Sequence, residues 1–205
     1  MSRYTGPRLK KMRSLGVDLP GLSRKSIERR PYPPGVHGPK ASRRKLSDYA
    51  RQLMEKQKLR LNYGVSERHL RRLVKEARRS KLATGRKLIE LLERRLDNVV
   101  FRSGLSSTIP AARQLINHGH VKVNGRRVDI ASYRLRIGDE ITLRDKSKKL
   151  TVVAESLESM SPYRPDWVEF KADQHKATVK DLPTMETVPF ALDLQLVVEF
   201  YSKRL

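Results

Sequence analysis

The chain contains no cysteine, so neither a disulfide framework nor a thiolate metal site can be built from it. No apolar run approaches the roughly 20 residues that cross a bilayer as a helix, and no signal-like apolar segment follows Met1. Aromatic residues make up 6% of the chain, and its one Trp, Trp167, lies in an acidic region. A protein of membrane surfaces would instead flank its basic residues with exposed Trp, Phe and Leu. No glycine-rich phosphate loop precedes a helix and no G-x-S-x-G occurs, so nothing suggests a nucleotide-hydrolysing or serine-hydrolase site. Acidic residues are scarce where they would be needed to balance charge. Residues 1–90 carry 26 Lys and Arg against 7 Asp and Glu, residues 91–150 carry 13 against 6, and residues 151–205 carry 6 against 9.

What is present is positive charge, +23 over 205 residues. A compact chain this charged repels itself, which points to a polyanionic partner. Nucleic acid fits best, because each neutralised phosphate releases condensed counterions. The length allows one or two domains with a real core.

The most informative stretch is TIPAARQLINHGHVKVNGRRVD, residues 108–129. Thr108 is placed to cap a helix and Pro110 falls in its first turn, where a missing N–H costs nothing. Ala111, Ala112, Leu115 and Ile116 make an apolar stripe at helical spacing, leaving Arg113, Gln114, Asn117 and His118 on the polar face. Gly119 stands where a left-handed C-cap is wanted. Val121 and Val123 alternate with His120 and Lys122, Asn124-Gly125 supplies a type I′ hairpin turn, and Val128 is expected to begin the return strand. A helix packed on a hairpin results, with Arg113, His118, His120, Lys122, Arg126 and Arg127 as a positive ridge.

Residues 1–43 show no sustained hydrophobic period and are punctuated by Gly-Pro and Pro-rich steps. They read as an arm, disordered alone and ordered on RNA, with Arg3, Arg8, Lys10, Lys11 and Arg13 on phosphates and Tyr4 or Tyr32 available for stacking. Ser47 caps a helix to about Asn62, with Ala50, Leu53, Met54, Gln57 and Leu61 on one side, ended by Tyr63-Gly64. Ser66 caps another to about Arg79. There Leu70, Leu73, Val74 and Ala77 form a core stripe, while Arg68, Arg71, Arg72, Lys75 and Arg79 repeat on the opposite face. A face meant only for water mixes signs, since like charges at i, i+4 repel by a few tenths of a kcal/mol. Five of one sign predict a phosphate-facing surface.

A further helical region opens at Thr84 or Gly85, as one helix or as two broken near Glu93. Beyond the hairpin, 137–140 reads as a turn and 141–144 as a strand. After Lys146 the chain becomes acidic. Residues 167–170, 177–179 and 194–200 read as short strands, or strands plus a terminal helical turn, and the run LQLVVEFY suggests core and protein contact.

These segments resemble a known family. Residues 108–129 are similar to the αL RNA-binding module named after ribosomal protein S-four, and ERRLDNVVFRSG (93–104) to the helix before it. EKQKLRLNYGVSERHLRR (55–72), SRYTGPRLKKMRSLG (2–16), YPPGVHG (32–38) and the closing LVVEFYSKRL (196–205) resemble the helical signature, tail and terminus of the small-subunit ribosomal protein S-four family. The resemblance implies an α+β fold: a helical domain with an inserted αL-type module of helices on a small β-sheet, and an extended basic N-terminal arm. The expected domains are 1–43 as the extension, 44–93 completed by 181–205 as the helical domain, and 94–180 as the RNA-binding domain with its αL core at 94–145.

The resemblance further implies a cytoplasmic ribosome, bacterial or organelle-encoded, binding to the 5′ domain of small-subunit rRNA, and subunit assembly. A neighbouring ribosomal protein S-five and an influence on decoding accuracy come with it, and no cofactor or small-molecule substrate. Arg94, Arg95 and Asn124 join the expected RNA contacts. Some family members bind zinc through N-terminal cysteines; this chain has none, so no metal carries over. Arg95-Leu96-Asp97 touches the aspartate motif of pseudouridine synthases, which carry the same module, but lacks its glycine and threonine. Asp97 is therefore expected to be a helix-surface or capping acid, and the chain not an enzyme. His118 and His120 have no acidic or thiol ligand near in sequence, so phosphate or base contact is expected of them rather than metal. The alternative is a stand-alone RNA chaperone or RNA-modification accessory using the same module; such proteins lack the N-terminal tail and the helical signature.

Overall fold

The computed structural model describes residues 4–41, 46–158 and 164–202. Two compact units are present, Met1–Leu88 with Val188–Leu205, and Ile89–Thr187. The architecture is α+β, as expected.

In the first unit, α1 (Arg8–Leu15) and the short α2 (Gly38–Ala41) precede two long helices, α3 (Asp48–Asn62) and α4 (Glu67–Arg78). The Ser47 and Ser66 hydroxyls accept the Ala50 and His69 N–H groups, as their spacing predicts; such caps contribute about 1 kcal/mol each. Leu70, Leu73, Val74 and Ala77 of α4 are all buried. The expected stripe of α3 is corrected. Ala50, Leu53, Met54 and Gln57 are only half-buried, whereas Lys56 and Leu59 are buried. Lys56 can be buried because its charge is met: Nζ lies 2.9 Å from Glu67 Oε2 and 4.8 Å from the Phe200 ring centroid. Phe200 belongs to α10 (Leu194–Ser202), which packs on α3 and α4. Tyr201 donates to Glu67 Oε1 at 2.7 Å, Gln52 to Glu199 at 3.1 Å, and Tyr49 stacks on Phe200.

The N-terminal arm packs its apolar residues against side chains from elsewhere in the first unit. Met12, Leu19, Leu22 and Leu61 are buried together, with Leu15, Val17, Ile27 and Phe190 packed around them. Asn62 Oδ1 accepts the Gly21 N–H at 3.0 Å, and the Asp18 carboxylate takes the Ile27 N–H and the Ser26 hydroxyl at 2.8 and 2.7 Å. These apolar residues show no period because they lie on one short helix and a coil, and find their partners far along the chain.

The chain enters the second unit within α5 (Thr84–Glu93); α6 (Leu96–Arg102) is a separate helix. The break is held by backbone pairing, with the Leu96 N–H donating to Tyr133 O and the Leu135 N–H to Arg94 O. Asp97 is not on the surface. It is fully buried, and besides accepting the Asn98 N–H its carboxylate takes Arg95 Nε at 3.0 Å and Arg113 Nε at 2.7 Å. Glu93 and Arg102 form a second buried pair at 3.3 Å, and Asn98 Nδ2 donates to Glu93 Oε2 at 2.7 Å.

Helix α7 (Ile109–Asn117) begins at the Thr108 cap and ends before Gly119 at φ +72°. Strand β1 (Val121–Val123) turns through Asn124 and Gly125, φ +49° and +77°, into β2 (Arg126–Arg127). The return strand therefore starts two residues earlier than expected from Val128. β3 (Glu140–Leu143) follows, then the short helices α8 (Asp145–Lys148) and α9 (Thr151–Glu158), which the sequence pattern does not announce. β4 (Val168–Lys171) and β5 (Lys176–Val179) close the sheet, antiparallel throughout in the order β2-β1-β3-β5-β4. One face carries Val121, Val123, Ile141, Leu143, Val168, Ala177 and Val179, all buried; each such side chain contributes roughly 1–3 kcal/mol.

Candidate nucleic-acid interface

Helix α4 displays the arrangement its sequence predicts. With four aliphatic side chains fixing the inner face, Arg68, Arg71, Arg72, Lys75 and Arg79 are all exposed, and Arg78, which the spacing argument passed over, joins them. Arg72 reaches His69 Nδ1 at 3.4 Å. Of the two acidic residues on this helix, Glu67 faces Lys56 and Tyr201, away from the basic stripe. Burial by itself would raise the Glu67 pKa. The hydrogen bonds from Lys56 and Tyr201 and the charges of Lys56 and Arg60 outweigh it and hold the carboxyl below its ordinary value of 4.5. Burial and that carboxylate push the Tyr201 phenol up.

In the second unit the positive ridge divides. Gln114, Asn117 and His118 are exposed at the end of α7. Lys122 stands opposite Arg127 and Val123 opposite Arg126; because strand side chains alternate, Arg127 shares a face with Lys122 while Arg126 takes the other. The Arg127 guanidinium lies across Gly119. A Cβ there would sit 2.2 Å from Arg127 Nε, so the missing side chain makes room for the arginine as well as for the left-handed cap. His118 and His120 have ring centroids 6.1 Å apart, and His120 Nδ1 is 2.9 Å from Ser147 Oγ. Burial first, then the charges of His118, Arg144 and Arg127, lower the His120 pKa. Among the described residues no group of three or more His, Cys, Asp or Glu is placed to hold a metal.

Several of the expected contact residues make intramolecular hydrogen bonds, and one of them, Arg95, is buried. Arg95 is 5% exposed and bound bidentately to Asp97, and Arg113 is tied to the same carboxylate. Arg94 donates to Leu135 O and Glu90, each at 2.8 Å. Asn124 locks the hairpin by donating to Asp139 and accepting the Glu140 N–H. Arg13 donates to Arg30 O, Tyr32 O and Pro33 O and lies 5.0 Å from the Tyr32 ring centroid, so both hold the N-terminal fold together. These side chains carry intramolecular contacts that the local sequence does not announce, since nothing local separates the two uses of an arginine. Tyr4, Arg8, Lys10 and Lys11 are exposed on and before α1, and Arg3 lies outside the described residues. Sequence reasoning did not foresee that β5 pairs with β3, since which strands become neighbours is decided by tertiary pairing.

A strongly basic α4 face and a helix-hairpin module with a positive end are thus on one chain. The family described as Ribosomal protein S4/S9 N-terminal domain matches residues 3–93, and the S4 domain matches residues 94–141. The small ribosomal subunit protein uS4 of Methylobacillus flagellatus is 58% identical over the full length of both chains. The small ribosomal subunit protein uS4B of Nitrosomonas europaea is 55% identical, and the uS4 protein of a Synechococcus strain 52%, again across both full lengths. With identity above half from end to end, the chain belongs to the small ribosomal subunit protein uS4 family.

Proposed function

We propose that this protein is a structural, non-enzymatic constituent of the bacterial small ribosomal subunit. It binds the 5′ domain of 16S rRNA, nucleates assembly of the subunit body, neighbours ribosomal protein S-five and contributes to translational accuracy in the cytoplasmic ribosome. The observation that carries the reading is the α4 face: Arg68, Arg71, Arg72, Lys75 and Arg79 exposed along one side of a helix whose other side is buried. The names of its relatives support the ribosomal setting. Arg8, Lys10 and Lys11, and in the second unit His118, His120, Lys122 and Arg127, supply further phosphate contacts. An A-form helix hides its base edges in a deep, narrow groove, so recognition rests on shape and on phosphate and 2′-hydroxyl contacts.

The test is binding to the 5′ domain of 16S rRNA against an unrelated structured RNA of equal length, across a salt series. A preference of two or more orders of magnitude that survives high salt is the expected result. Equal binding, falling with a slope of about −0.7 to −0.9 per neutralised phosphate, would leave only a generic polyanion grip and favour the chaperone reading.

A further inference from the structure

The register of the five-stranded sheet brings together basic residues that lie far apart in sequence. Arg127 on β2 pairs with Lys122 on β1, Lys122 with Thr142 on β3, Thr142 with Lys176 on β5, and Lys176 with Lys171 on β4. One residue from every strand therefore forms a single row across the sheet, four of the five basic. At about 4.8 Å between strands the row spans roughly 19 Å. It lies on the face opposite the buried Val121, Val123, Ile141, Leu143, Ala177 and Val179. All five residues are exposed or half-buried.

The rows on either side give this face a direction. Two residues before Lys122 stands His120, whose carbonyl accepts the Arg144 N–H, so Arg144 extends the positive band into a second row. On the far side Glu140 and Glu169 both stand opposite Thr178. The band is therefore basic on one flank and bounded by carboxylates on the other. Lys176 Nζ is 2.6 Å from Glu140 and Lys180 Nζ 3.5 Å from Glu169. These are half-exposed surface pairs, weak enough for a phosphate to displace. Asp145 lies near Lys122, but its carboxylate is held at 2.8 Å by Lys148.

We propose that this row continues the RNA-binding surface of the α7–β1 end across the whole sheet, so that one RNA backbone strand runs over the strands from Arg127 to Lys171. Arg127, Lys122, Lys176 and Lys171 contact successive phosphates, and the Glu140–Glu169 row sets the lateral limit by repulsion. The positions on this face are polar or charged, which suits a phosphate backbone and gives a protein partner no apolar anchor. The inference rests on the RNA-binding reading above and adds to it the β4–β5 hairpin, which sequence alone assigned to the acidic third.

The test uses the full-length protein, the 5′ domain of 16S rRNA and three variants. Lys171→Ala with Lys176→Ala is expected to bind about tenfold more weakly at moderate salt and to flatten the salt slope by about 2, one per lost phosphate contact. Lys171→Arg with Lys176→Arg is expected to bind as wild type, separating charge from fold. Unchanged circular dichroism and melting temperature in both keep the comparison meaningful. If the alanine pair binds with wild-type affinity and slope while Arg72→Ala with Lys75→Ala weakens binding, the sheet surface is refuted and the RNA-binding reading stands. If wild type itself shows no preference for this RNA, the underlying reading fails instead. Retained RNA affinity in the alanine pair, together with loss of a ribosomal protein from reconstituted subunits, would mark the row as a protein contact and also overturn the proposal.

Discussion

Arg113 Nε lies 2.7 Å from Asp97 Oδ2, the same oxygen that takes the Arg95 guanidinium at 2.9 Å. Two arginines from the start and the far side of the module thus share one buried carboxylate. Removing that carboxylate leaves two desolvated cations without a counter-ion. Asp97→Ala is expected to cost about 3–5 kcal/mol of stability, measured by urea denaturation. A loss below about 1 kcal/mol would mean that the arginines relax into water and that the cluster is incidental.

Arg72→Ala together with Lys75→Ala removes two exposed charges from α4 without touching its core. RNA affinity should fall and the salt slope flatten by about 2, with stability changed by less than about 0.5 kcal/mol. A large drop in melting temperature would show this to be a structural face.

Leu73→Asp tests the other side of the same helix. Leu73 is 2% exposed, and a carboxylate there has no partner, so the first unit should lose several kcal/mol and unfold. A folded variant with native circular dichroism would contradict the assigned core.

The Glu67 carboxyl titrates below 4.5 in the folded chain. A depressed carboxyl contributes stability that is fully present above its unfolded pKa and lost as pH falls through the folded one. The denaturation midpoint of wild type should therefore decline on acidification below about pH 4.5, more steeply than that of Glu67→Gln. Identical acid limbs would show that the Lys56–Glu67–Tyr201 contacts contribute nothing to the pH dependence.

Gly119→Ala places a side chain where φ is +72° and where the Arg127 guanidinium already lies. A loss of about 1–2 kcal/mol is expected, with weaker RNA binding as Arg127 is displaced. Unchanged binding with reduced stability would separate the cap from the arginine's placement.

Helix α4 and the helix-hairpin were legible because their signals are local. Ser66, Thr108, Pro110 and Asn124-Gly125 each act within a few residues, and Leu70 to Ala77 repeat with the helix. The N-terminal core was not legible, since Met12 and Leu19 meet Leu61 and Phe190 only through tertiary packing. Lys56 reads as a solvent residue until Glu67 and Phe200 are placed around it. Arg95 and Arg113 look like any other basic residues of a basic chain. Only the burial of Asp97, a property of the folded module, shows that both are tied to one carboxylate. The cross-sheet row was hidden for the same reason: Lys171 and Lys176 acquire neighbours on β3 through a pairing that no local pattern encodes.

The packing of α10 on α3 has a consequence in time. Gln52 and Glu199, which bond across that interface, are 147 residues apart, a stretch that takes roughly 7–30 s to synthesise at about 5–20 residues per second. During that interval α3 has emerged while Phe200, the ring that Tyr49 and Lys56 both lean on, has yet to be made. The order of translation therefore makes the last nine-residue helix the closing event of the first unit. A chain stalled before Leu194 would carry its basic helices without the clasp that fixes them.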